Sequence, residues 1–146
     1  MRSILFICML IAGLGCAGQK NATMKPNQLN GVWIPVNQEM GGTILPQAAF
    51  ATQKLVINDS NYTFTAESVD KGVVQCKDDK MDIYGKEGVN TGKHFTAIYK
   101  FVQGTPGGEN EQLTICYNLA GSNYPEAFDT KGKPMYFLCV FQKEKK

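Results

Sequence analysis

From Gly31 onward the chain sustains no long apolar stripe at helical spacing. Short runs of aromatic and β-branched residues recur between Gly, Asn and Asp punctuation. GVWIPV, KLVIND, NYTFT, KGVVQC, KMDIYG, HFTAIYKFV, LTICYN and MYFLCVF are each long enough for one strand and too short for a stable helix. About eight strands joined mostly by hairpin-length links give an antiparallel order. Each has one apolar face that needs a second layer or closure, and closure also removes the exposed sheet edges. The expected fold is therefore all-β, a small antiparallel up-and-down barrel. A two-sheet sandwich is the alternative.

Individual runs carry finer signals. Pro35 inside the first strand cannot donate a ladder hydrogen bond, so that strand belongs at an edge, a bulge or a bend. Pro46 to Thr52 is the one plausible short helix, and Phe50 must pack elsewhere to hold it. KLVIND and NYTFTAES form a hairpin around Asp59, Ser60 and Asn61, with Leu55 and Ile57 sharing one face and Tyr62, Phe64 and Ala66 sharing one on the return. KGVVQCKDD and KMDIYG form a second, more polar hairpin. In HFTAIYKFV, Phe95, Ala97, Tyr99 and Phe101 face one way, and His94, Thr96 and Lys100 the other.

The beginning of the chain reads differently. MRSILFICMLIAGLGCAG has one charge at Arg2, an apolar stretch from Ile4 to Leu14 and a small-residue patch ending at Gly18. Residues 1–17 thus form an expected export signal, too short for a comfortable membrane span. Cleavage falls before Gly18 or before Cys16; in the second case Cys16 is lipidated and anchors the protein to a membrane. Residues 18–28 read as a flexible tether and 29–146 as the folded domain. Arg2 is the sole arginine. The remaining part carries 14 lysines against 13 acidic residues and has no guanidinium for bidentate phosphate recognition, so nucleic acid is not an expected partner.

Read together, GVWIPV, KLVINDSNYTF, GKHFTAIYKF, LTICYNL and FLCVFQKEK resemble a family of small exported or lipid-anchored bacterial domains. That family is abundant in planctomycete-type genomes, is described as lipocalin-like, and has no assigned biochemical function. Gly31 and Trp33 match its opening Gly-x-Trp, Ile98 and Tyr99 its central pair, and Cys116 and Tyr117 its Leu-x-x-Cys-Tyr run. Val140, Phe141, Lys143 and Glu144 match its closing segment. Pro35 and the enlarged loop at Gly107 and Gly108 depart from the pattern. The resemblance implies a lipocalin-like barrel and a periplasmic or cell-envelope location, without a catalytic set.

Sequence motifs for chemistry are sparse. His94 is the sole histidine and has no neighbouring ligand spacing for a metal. Asp78, Asp79 and Asp82 lack calcium-loop spacing, and QGTPGGENE is no phosphate cradle. No cofactor is expected. Cys116 and Cys139 lie in the last two runs; a disulfide between them, a bridge to Cys76, and separate buried thiols all remain open. Trp33, Tyr62, Phe64, Phe95, Tyr99, Phe101, Phe137 and Phe141 either fill the core or in part line an open cup for an apolar ligand, with Trp33, Phe64, Tyr99 and Phe101 as the expected lining. The leading expectation is non-catalytic binding of a small apolar ligand or an envelope protein. An envelope hydrolase and a purely structural envelope component are the alternatives.

Overall fold

The computed structural model describes residues 27–106 and 110–145. The expected export signal, Cys16, most of the tether and the glycines at 107 and 108 lie outside them. Nine strands follow in chain order: β1 (Gly31–Met40), β2 (Thr43–Ile44), β3 (Lys54–Asn58), β4 (Asn61–Thr65), β5 (Val69–Lys77), β6 (Lys80–Glu87), β7 (His94–Val102), β8 (Gln112–Asn118) and β9 (Tyr136–Lys143). All neighbours are antiparallel, and β9 pairs back onto β1, so eight strands close into an up-and-down barrel. Strand β2 is an extra hairpin arm on the far end of β1, pairing Glu39 with Ile44. The expected short helix is a single 3-10 turn, Gln47–Ala49. Its neighbour Phe50 is nevertheless buried, which is what holds so short an element in place.

The turns form where small polar residues permit them. Asp59 and Asp78 both take positive φ, at 54° and 56°, in the tight links β3–β4 and β5–β6. These turns fix the register, so Leu55 faces Phe64, Ile57 faces Tyr62 and Cys76 faces Met81. Pro35 sits beside a bulge: it pairs with Phe141, the next pair is Asn37 with Val140, and Val36 is the extra residue. Trp33 and Pro35 are therefore buried before the bulge and Gln38 after it. A second irregularity lies between Lys71 and Gly72. The extra residue is Lys86 of β6; a Cβ at Gly72 opposite it would collide with the Tyr84 carbonyl and lie 2.6 Å from the Tyr62 ring, so glycine is required there.

One end of the barrel is filled. Trp33 is fully buried, its indole N–H donates to the Leu29 carbonyl at 2.7 Å, and Phe101 meets it edge-on at 6.2 Å. Leu113, paired with both Phe101 and Phe141, completes this plug. Lys143 closes the rim, its ammonium 2.6 Å from Glu111 and 5.3 Å above the Trp33 ring.

The outer wall is also partly covered. Residues 119–135, between β8 and β9, run as a strap across the outward faces of β6, β7, β8 and β1. The Asn123 carbonyl accepts from Thr96 Oγ1 at 2.7 Å and from Asn118 Nδ2 at 2.9 Å. Lys100 lies 5.0 Å over the Phe128 ring. Thr130 donates to Glu39 and accepts from the Gly42 amide at 2.8 Å. The strap accounts for the burial of Thr96, Ile98 and Cys116, which point away from the barrel interior.

The two ends should respond differently to truncation. Phe141→Ala removes a side chain only 2% exposed and is expected to cost about 3 to 5 kcal/mol in denaturant unfolding. Phe64→Ala, at a half-buried position, should cost clearly less. Equal losses would contradict a filled end and an open end.

Candidate functional site: an apolar cavity at the open end of the barrel

The other half of the interior holds a cavity of about 160 Å³. Its floor is built from Leu55, Ile57, Val74, Met81, Ile115 and Phe141. The alternation of β3, β5, β6, β8 and β9 turns these residues inward, while their register places them in neighbouring layers. Five aromatic rings, Tyr62, Phe64, Phe95, Tyr117 and Phe137, form the upper wall. Tyr117 and Phe137 are directly paired across β8 and β9 and stack with centroids 5.8 Å apart.

Few polar groups enter this space. Gln38, 2% exposed, gives its Nε2 to Gln53 Oε1 at 2.5 Å and to the Cys139 sulfur at 3.6 Å. Asp70, 5% exposed, accepts from the Asn90 backbone amide at 3.0 Å and from Asn90 Nδ2 at 3.2 Å. Burial pushes the Tyr62 phenol up, with the nearby Asp70 charge adding to the effect. Burial raises Tyr117 further, with Cys139 and Tyr62 contributing. Both phenols are therefore neutral at physiological pH and offer the cavity hydroxyls rather than phenolates.

The four aromatic residues expected to line a cup are split by the fold. Phe64 lines the cavity. Trp33 and Phe101 belong to the plug at the filled end. Tyr99 is buried and donates to the Asp78 carbonyl at 3.0 Å. Sequence parity identifies all four as candidates for the interior; which end each occupies depends on the tilt of the strands. Phe95 and Phe137, from the same aromatic set, do line the cavity, and Tyr117 and Asp70 share the inward parity without standing out in the sequence. In the sequence Asp70 is one of several scattered carboxylates in polar neighbourhoods.

The Cys116–Cys139 bridge is not formed. All three thiols among the described residues are free. Cys116 pairs with Leu138, and Cys139 with Ile115, so the two sulfurs lie on opposite faces of the barrel wall. Burial raises Cys116, partly offset by a backbone hydrogen bond from Asp129, and pushes Cys139 up to about 12. Neither is an activated nucleophile. Cys76 is exposed at the end of β5, though desolvation raises its thiol as well. Alkylation of the folded protein should label Cys76 alone of these three, faster as pH rises. Cys116 and Cys139 should label only on unfolding, and peptide mapping that finds either one first, or finds them linked, would contradict this geometry.

A second polar cluster lies on the outer wall. His94 Nε2 is 2.7 Å from Asp82 Oδ1, and Tyr124 of the strap donates to Asp82 Oδ2 at 2.6 Å. The His94 ring stacks on Tyr84 at 4.6 Å, nearly parallel. This cluster resembles part of a hydrolytic triad only superficially. Its hydroxyl belongs to Tyr124 and is spent on Asp82, and no hydrogen bond among the described residues joins His94 to Ser, Thr or Cys. The chemistry it does perform is tying the strap to β6. Desolvation raises the Asp82 pKa, but the hydrogen bonds from Tyr124 and His94 and the His94 charge outweigh it, leaving it below the usual value of 3.8. A depressed folded-state pKa stabilises the fold above the unfolded value and loses that contribution as pH falls through the folded one. The stability gap between the native protein and Asp82→Asn should therefore be full at neutral pH and shrink below about pH 3.8. A gap independent of pH would refute the assignment.

Among the described residues, no three His, Cys, Asp or Glu side chains are grouped to hold a metal ion, and no helix is long and apolar enough to cross a membrane. Comparison with known proteins finds no matching family model, no matching curated protein and no matching solved structure.

Proposed function

We propose that this barrel is a non-catalytic binding module that holds a small, largely apolar ligand in its open end. The observation that carries the reading is the cavity of about 160 Å³ walled by aromatic and aliphatic side chains. An apolar cavity of about 150 Å³ is large enough to take benzene. The occupant is thus either a compact molecule with one ring or a short branched chain, or the apolar tip of a larger one. The rest of the interior is filled, so the cavity walls are braced rather than collapsible, and binding pays little ordering entropy.

The leader-like residues 1–17 support placing this activity outside the cytoplasm, in the periplasm or cell envelope. Lipidation at Cys16 would tether the module to a membrane. The likeness to the exported lipocalin-like family points the same way. An unpaired thiol set is compatible with that location, because Cys116 and Cys139 are sealed from oxidants by the strap and the core.

Saturating benzene or toluene is expected to raise the Tm by several degrees, since a ligand at 100 times its Kd contributes about 2.7 kcal/mol. Leu119→Trp, which adds bulk at the partly exposed cavity edge, should abolish the shift while leaving the unliganded protein folded. An unchanged Tm across a series of apolar molecules of this size would overturn the reading.

A further inference from the structure

Resting on that reading, we propose that the ligand is a small organic cation, an ammonium group carrying an apolar body. The cavity is not uniformly greasy: its single ionisable carboxyl, Asp70, stands in a wall of five aromatic rings. Asp70 continues the inward alternation of Gly72 and Val74 along β5, is paired with Phe64 across β4–β5, and lines the cavity near Tyr62. Its two hydrogen bonds both come from Asn90, one to each oxygen, leaving further lone pairs on the carboxylate. Among the described residues no lysine or histidine forms an ion pair with it.

A carboxylate this buried is costly unless something compensates its charge. Asn90 supplies amide dipoles only. The backbone is shaped to bring them in: Gly88 has φ of 90°, and any Cβ there would collide with Asp70 Oδ1, so the 88–91 turn wraps the carboxyl tightly. Lys93 is the nearest cation in this chain of contacts, and it reaches Asn90 Oδ1 at 3.2 Å rather than Asp70 itself. The turn therefore fixes the carboxylate without neutralising it.

The surrounding rings complete the selection. Tyr62, Phe64, Phe95, Tyr117 and Phe137 present π faces and edges to the same space, and a cation close to such faces is attracted by the ring quadrupoles. The Tyr62 and Tyr117 hydroxyl oxygens add neutral acceptors. An ammonium group bound at Asp70 gains a charge-assisted hydrogen bond, and its apolar body fills the floor between Ile57, Val74 and Ile115. A carboxylate-bearing ligand of the same shape meets like-charge repulsion instead, so fatty-acid-type anions are excluded.

Titration calorimetry of the full chain with toluene, benzylammonium and benzoate tests this, because the three share one ring and differ in charge. Benzylammonium should bind about tenfold or more tighter than toluene, and benzoate should not bind. Asp70→Asn retains an oxygen for the Asn90 backbone amide, and a flip of the Asn90 side chain satisfies the other bond while giving up only the exposed Lys93 contact. This variant should bind toluene as before and lose the preference for benzylammonium. If that variant fails to fold, Phe137→Leu supplies the second measurement, and it should weaken benzylammonium more than toluene. Toluene binding as tightly as benzylammonium would overturn the cation assignment and leave the apolar-binding reading standing. Failure of all three to bind would overturn both.

Discussion

Everything in this molecule depends on the pairing of its first long strand with its last. Without β1 on β9, the meander from β1 to β9 is an open, twisted sheet with exposed edges and one greasy face. With it, the same face becomes an interior. The register of that pairing, Trp33 with Lys143 and Met40 with Phe137, also fixes which inward residues share a layer. Because the joined strands lie at opposite ends of the chain, closure comes after the local hairpins in any order of assembly that builds from short loops. The hairpins at Asp59 and Asp78 reduce this search by delivering pre-registered ribbons.

Closure alone does not explain why one half of the interior is filled and the other open. The difference is one of side-chain volume by layer. At the closed end, Trp33, Phe101 and Leu113 converge, and Lys143 with Glu111 caps the rim. In the opposite half, glycine at 72 on β5 and its partner Gly85 on β6 withdraw side-chain volume from the wall. The Tyr62 ring takes the space over Gly72, and the Asn90 backbone takes that over Gly85, which lets the 88–91 turn fold in against Asp70. The aromatic rings stand around the cavity instead of crossing it. Binding capacity is thus a consequence of which layer each ring occupies, on a scaffold whose stability resides elsewhere.

Much of this architecture was legible from alternation and turn chemistry. Strand boundaries around Leu55 and Phe64, the inward parity of Phe95, Ala97, Tyr99 and Phe101, and the irregularity at Pro35 all follow from residue type and spacing. Two things were not. Thr96, Ile98 and Cys116 have outward parity and are still buried, because the 119–135 link lies over them; a polar segment with no periodicity carries no signal of where it docks. The cluster of Asp82, His94 and Tyr124 was equally hidden, since its members come from β6, β7 and the strap and meet only once the barrel has closed and the strap has crossed it. The cavity shows the same limit in another form: parity places Trp33 and Phe64 both inside, but only the tilt of the strands decides that one plugs and the other lines.

The bulge at Val36 ties these features together. Proline at 35 withholds a ladder donor, and the extra residue that follows shifts the parity of everything after it in β1. In an unbulged strand, Asn37 and Glu39 would continue the inward set begun by Trp33 and Pro35. The shift instead turns Gln38 inward, where it bonds Gln53 and the Cys139 sulfur at the edge of the cavity. It also turns Glu39 outward, where it accepts the Thr130 hydroxyl and holds the strap. A carboxylate that would have entered the barrel beside the cavity thus becomes an anchor on its outer wall. Asp70 is left as the sole ionisable carboxyl facing the ligand space. One inserted residue thereby sets both the charge of the cavity and the attachment of the segment that covers the barrel.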